Sequence, residues 1–170
     1  MRSFIMCLAA LFAAPLIADN IGDLQFDTPA IGHEWKVENK FSTDMPKSST
    51  LIYVSQENTL EESEEVFAVN VSDLPFNNEV GPIDLVKLQK IMEDQFRNLE
   101  VRLNPLVISD NEVFYEWSVF DKGVEELHGW TRSMNLTSGS AGLTFQTENI
   151  AQVDGIRSAV VDCLQKAKAV

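Results

Sequence analysis

With 170 residues, 26 of them acidic against 13 basic, the chain has a formal net charge of −13 and is long enough for one domain with its own core. That charge balance excludes an ordinary nucleic-acid or anionic-lipid binder, because both surfaces are approached through clustered Lys and Arg. The only two cysteines, Cys7 and Cys163, are separated by the first predicted boundary, so no internal disulfide is expected in the mature chain.

The first element is a leader. Arg2 precedes sixteen uncharged residues, Ser3 to Ala18, and Asp19 closes the run. A membrane-spanning helix needs about 20 apolar residues, and this segment is shorter and flanked like a secretory signal. Residues 1–18 are read as a signal peptide, with cleavage between Ala18 and Asp19, and residues 19–170 as a single domain. An uncleaved anchor or a buried N-terminal helix is the alternative. Cys7 does not fit a lipid-bearing cysteine, since Met6 precedes it and eleven further uncharged residues follow. Cleavage removes Arg2 and leaves 12 basic residues, a net charge of −14 and one cysteine, Cys163, in an apolar helical pattern that suits a buried core residue.

Along the mature chain, Gly22, Pro29 and Gly32 mark turns. "HEWKVENKF" suggests a strand, "DMPKSST" a loop, "TLIYVSQ" a β-branched strand, and "EEVFAVNVSDL" a strand with clean alternation. The acidic "ENTLEESEE" falls where a hairpin loop belongs. After a polar loop, Asp84 can cap a helix whose Leu85, Leu88, Met92, Phe96 and Leu99 recur at spacings of three and four. Its mixed charges suit a helix lying on a sheet. Several antiparallel strands follow from Pro105 to Leu136, with "SDNE" and "DKG" as turn signals. "AGLTFQTEN" supplies another strand, and Ile156, Val160, Cys163 and Leu164 form the stripe of a closing helix. Strands, helix, strands, helix predict an α+β domain: an antiparallel sheet with a central and a C-terminal helix packed on it.

The strand "VFAVNVSDLP" leading into the helix "DLVKLQKIMEDQFRNL" resembles the PsbP-like family, which includes the photosystem II accessory protein and envelope proteins of the DcrB type. So does the later run of the turn "DNE", the strands "VFYEWSVF", "ELHGWTRSMNL" and "GLTFQTEN", and a closing helix. The resemblance spans about Trp35 to Lys168. It departs where the N-terminal half would carry a Gly-Trp or Pro-Trp corner, for here the chain reads "GHEW". It implies a PsbP-like fold and an accessory or binding role, because such proteins are mostly not enzymes.

The stretch richest in chemistry is "VEELHGWTRSM". On a strand, His128, Trp130 and Arg132 share a face with Glu126 and Met134. Together they could offer an aromatic floor and a guanidinium fork to a carboxylate or planar ligand. The plainer reading is a solvated sheet face on which Glu126 offsets Arg132, and Arg132→Ala would then leave the fold intact. A catalytic histidine needs an orienting acid and a nucleophile nearby, and sequence spacing supplies neither.

Other constellations are weaker. His33 and His128, far apart and without a cysteine partner, do not make a zinc site. The five glutamates of "ENTLEESEE" lack the spacing and glycine of a calcium loop and read as a solvated loop. No G-x-S-x-G is present. Asn70 and Asn135 match the glycosylation pattern, which matters only in a eukaryotic secretory pathway.

Catalytic residues, metal and cofactor are therefore not expected, nor is stable membrane insertion after cleavage. The sequence favours an exported, soluble, monomeric accessory or binding protein of the bacterial envelope, periplasmic or secreted, with an unidentified protein or small-molecule partner. A protein secreted beyond the outer membrane to act on a host or environmental target is the first alternative, and a small hydrolase with an unrecognised site the second.

Overall fold

The computed structural model describes residues 23–44, 47–74, 85–97 and 99–170. The leader with its Ala18–Asp19 boundary and the Asp84 cap lie outside the described residues.

Seven strands form one antiparallel sheet: β2 (Trp35–Asp44), β3 (Lys47–Ser55), β4 (Glu65–Ser72), β5 (Glu100–Ile108), β6 (Glu112–Asp121), β7 (Val124–Leu136) and β8 (Gly139–Thr147), in the order β2-β3-β4-β8-β7-β6-β5. A short pair joins the ends of the domain, β1 (Leu24–Gln25) with β9 (Lys168–Ala169). Helix α1 (Leu85–Gln95) sits between β4 and β5 in the chain, and α2 (Val153–Lys166) follows β8 after a single 3-10 turn. The architecture is the predicted α+β sheet with two helices. The connector "ENTLEESEE" joins the antiparallel pair β3 and β4, as expected. The "DKG" signal makes the tight β6–β7 turn, where Lys122 and Gly123 both take positive φ, 50° and 83°.

Each helix covers one face of the sheet, which explains why β6 and β8 read as nearly unbroken buried runs. On one face Met92 and Phe96 of the α1 segment pack with Val101, Trp117, Val119 and Leu127. On the other, Ile156, Val160 and Leu164 of α2 pack with Phe67, Trp130 and Phe145. Period-two alternation divides each strand between these cores, so Trp117 and Phe114 on β6 point to opposite sides.

The predicted α1 stripe overshoots the helix by one turn. α1 ends at Gln95 and Leu99 packs from the connector, with its amide donating to the Phe96 carbonyl. Trp35 of "GHEW" donates its indole N–H to the Pro29 carbonyl at 2.8 Å and packs edge-on against Phe145.

Gly129 is required by a close approach. A Cβ there would stand 2.5 Å from Cε2 of the Trp117 ring and 2.8 Å from the Phe145 carbonyl oxygen. The glycine of "HGW" is thus the seat on which the Trp117 indole lies.

Candidate functional site

β7 carries the residues singled out from sequence, and the structure brings His128, Trp130 and Arg132 onto one face, as the alternation predicts. That face is not solvated. α2 and the adjoining strands cover it, so Trp130 is fully buried and His128 is 5% exposed. The expected Glu126–Arg132 pair is replaced by Glu112 of β6, whose carboxylate accepts from Arg132 Nε at 2.7 Å.

The remaining donors of Arg132 are spent on the end of α2. Its Nη1 donates to the carbonyls of Leu164, Gln165 and Ala167 at 2.6, 3.0 and 2.7 Å. These belong to the carbonyls that a helix end leaves without intrahelical partners, and a cation there also offsets the negative end of the helix dipole. Arg132 therefore ties α2 to the sheet.

His128 stands between two carboxylates. Its Nε2 lies 2.8 Å from Glu116 Oε1 on β6, and its Nδ1 lies 2.6 Å from Glu125 Oε1 and 3.0 Å from Ser118 Oγ. Both ring nitrogens thus have a carboxylate within hydrogen-bond distance, and at Nδ1 the Glu125 carboxylate is nearer than the Ser118 hydroxyl. The ring also packs against Trp130, with centroids 4.5 Å apart. Glu116 further accepts from Arg157 of α2 and from Asn104 of β5. Burial alone would raise the Glu116 carboxyl, but the hydrogen bonds from Arg157, His128 and Asn104 outweigh it and hold the group below its ordinary range.

Glu116, Glu125, Ser118 and Arg157 were not among the residues that the sequence singled out. Glu116 had a signal: it is the one charge inside the apolar "VFYEWSVF". Which groups would meet it had none, because Arg157 approaches from another element.

The pH dependence has a definite sign. A carboxyl lowered in the folded state contributes stability above its unfolded pKa, and that contribution is lost as pH falls through the folded value. Unfolding free energy should therefore decline on acidification below about pH 4.5, the ordinary value for Glu116, and Glu116→Gln should flatten that part of the profile in urea titrations at stepped pH. Glu65 and Glu148 act with the opposite sign, since burial, the larger cause, and the neighbouring Glu64 raise both. A profile unchanged by Glu116→Gln would show that the cluster does not hold an ionised carboxylate.

Elsewhere, Cys163 is buried, donates to the Asp27 carbonyl at 3.1 Å, and has its thiol pushed up to about 11 by burial first and Asp27 second. It is a core residue with little thiolate at neutral pH. The acidic connector is not wholly solvated: Ser63 is buried, and the Thr59 hydroxyl donates to Glu62 at 2.9 Å. His33 meets Glu65 at 3.4 Å. Among the described residues no group of three or more His, Cys, Asp or Glu side chains could hold a metal ion, and no helix is long and apolar enough to cross a membrane.

The sheet order, the helix on each face and the β1–β9 pair define an α+β domain of PsbP-like fold. It is similar to the solution structure of cyanobacterial PsbP (CyanoP) from Synechocystis sp. PCC 6803, with a TM-score of 0.54 and 14% sequence identity over 90% of this chain and 96% of that one. At that identity the likeness is one of fold. No protein-family model matches the chain, and no curated protein matches it.

Proposed function

We propose that this chain is an exported, soluble, non-enzymatic accessory or binding protein of the bacterial envelope, released from its leader between Ala18 and Asp19. The PsbP-like fold and the leader pattern support that role. The observation that carries the non-enzymatic part is the saturation of the polar cluster on β6 and β7.

Ser118, His128 and Glu116 have the residue types of a hydrolytic triad, but a general base must offer a lone pair to the nucleophile. Here Glu125 stands at Nδ1 at 2.6 Å, closer than Ser118 at 3.0 Å, and the imidazole is buried, so Ser118 does not have that nitrogen to itself and no substrate reaches it. His128 and Arg132 accordingly position α2 and the Trp130 ring. A ligand on this face would reach Trp130 from the α2 side and leave the donors of Arg132 where they are.

The test is N-terminal sequencing of the protein recovered from cell fractions and culture supernatant. The expected result is a soluble periplasmic species beginning at Asp19. Retention of Met1 in a membrane fraction would overturn the export reading, and recovery from the supernatant would move the site of action beyond the outer membrane.

A further inference from the structure

Beside α2 a cleft of about 510 Å³ opens between the helix and β5, with Leu106 on one wall, Val161 on the other, and Trp130 in its lining. We propose that this cleft binds a small zwitterion with an apolar body, an α-amino acid of the leucine type. The inference deepens the binding role proposed above and rests on it.

Two residues that line the cleft carry donors with spare capacity. Among the described residues Trp130 Nε1 has no hydrogen-bond partner, although the indole is fully buried. A buried donor without a partner is destabilising, so it calls for an acceptor. The other two indoles are satisfied: Trp35 donates to the Pro29 carbonyl and Trp117 to Thr131 Oγ1. Trp130 alone of the three tryptophans lines the cleft and has an unused N–H.

The second donor is Arg157. Its Nη1 is anchored on Glu116, while among the described residues Nη2 meets only Asp154, at 3.9 Å and beyond hydrogen-bond distance. The guanidinium lies 5.8 Å from the centroid of the Trp130 ring, and the side chain is 43% exposed. Arg157 is thus the cover over the indole and the part able to give way. A ligand carboxylate that takes the place of Asp154 at Nη2 comes down over Trp130, and the planar guanidinium suits it.

The rest of the lining sets the class. Asp154, Arg157 and Val161 form one stripe along α2, at spacings of three and four, and the exposed Asp162 borders the cleft beside it. Glu116 already neutralises Arg157, so the two aspartates make the rim negative and repel a simple anion, as does the net charge of −13. A carboxylate is accepted there when the same molecule brings an ammonium to Asp154 or Asp162. Leu106 supplies the apolar wall. It is the extra residue of a bulge in β5, between Pro105 and Val107, and it is 41% exposed.

The test is titration of the full mature protein with L-leucine, followed through the three indole N–H signals in a proton–nitrogen correlation spectrum. Trp130→Phe assigns its signal. The Trp130 signal should move and saturate while those of Trp35 and Trp117 stay. Isocaproate, which lacks only the ammonium, should bind about tenfold more weakly, the loss of one charge-assisted hydrogen bond. Asp162→Asn, on the exposed side of α2, should bring L-leucine down towards isocaproate without altering the spectrum of the free protein. An unmoved Trp130 signal at millimolar L-leucine, equal shifts in all three indoles, or isocaproate binding as tightly as L-leucine would each overturn the proposal. The export test reads independently of all of these.

Discussion

Arg132→Ala should lower the unfolding free energy by about 3 kcal/mol, the low end of the range for breaking one side of a buried charged pair, because both partners keep some exposure. The side chain is 12% exposed and serves two elements at once. Its Nε pairs with Glu112, which loses that partner, and its Nη1 holds the carbonyls of Leu164, Gln165 and Ala167 at the end of α2. Those carbonyls recover part of the loss from water as the chain end loosens, and the Glu112 carboxylate, 26% exposed, recovers part of its own. Arg132→Lys should restore only a fraction, since a single ammonium cannot point along both directions of the guanidinium fork. Urea unfolding followed by circular dichroism measures both variants. A midpoint unmoved by Arg132→Ala would mean that the helix end has other support. The expectation from sequence, an arginine that could be removed silently, is reversed by the burial of the face it stands on.

Phe96→Ala should cost about 4 kcal/mol, within the range for truncating a buried phenylalanine where the surroundings cannot collapse. Phe96 is 2% exposed and lies just past α1, its ring 6.3 Å from that of Trp117. Trp117 cannot move in to fill the space, because it is seated over Gly129 and its Nε1 is bonded to Thr131 Oγ1 at 3.1 Å. α1 has 11 residues, too few to persist without packing, so loss of its anchor should loosen the helix as well as the core. Thermal unfolding gives the size of the effect, and a change in tryptophan emission below the midpoint would report the loosened helix. A variant with the native melting temperature would show that the α1 stripe contributes no core.

Much of the architecture was legible because it is periodic. Alternation in "EEVFAVNVSDL", the stripe from Leu88 to Phe96 and the stripe from Ile156 to Leu164 each follow from the geometry of one element, and local geometry repeats along the chain. The same alternation placed His128, Trp130 and Arg132 on one face of β7. The overshoot of α1 past Gln95 was hidden because Leu99 continues the apolar spacing from a connector that the core also reaches.

What periodicity could not decide was which face of β7 meets solvent. A strand with polar and aromatic residues on one side and Leu127, Gly129 and Thr131 on the other reads as half solvated, yet each side lies under a helix that arrives from elsewhere in the chain. The roles of the polar side chains depend on those arrivals. Glu116 is tolerable inside "VFYEWSVF" because Arg157, 41 positions later, donates to it, and Arg132 is structural because α2 ends beside it. The sequence by itself determined most of the element types, the turn at Lys122–Gly123 and the shared face of β7, since each follows from torsional preference and side-chain period within a few residues, whereas the loop expected at "DMPKSST" is strand β3 from Lys47 and β5 begins at Glu100, ahead of the expected Pro105. The pairing of charges and the covering of Trp130 were decided by tertiary structure alone, because electrostatic partners are set by distance in space, and the seven-strand sheet brings together residues that the sequence keeps far apart.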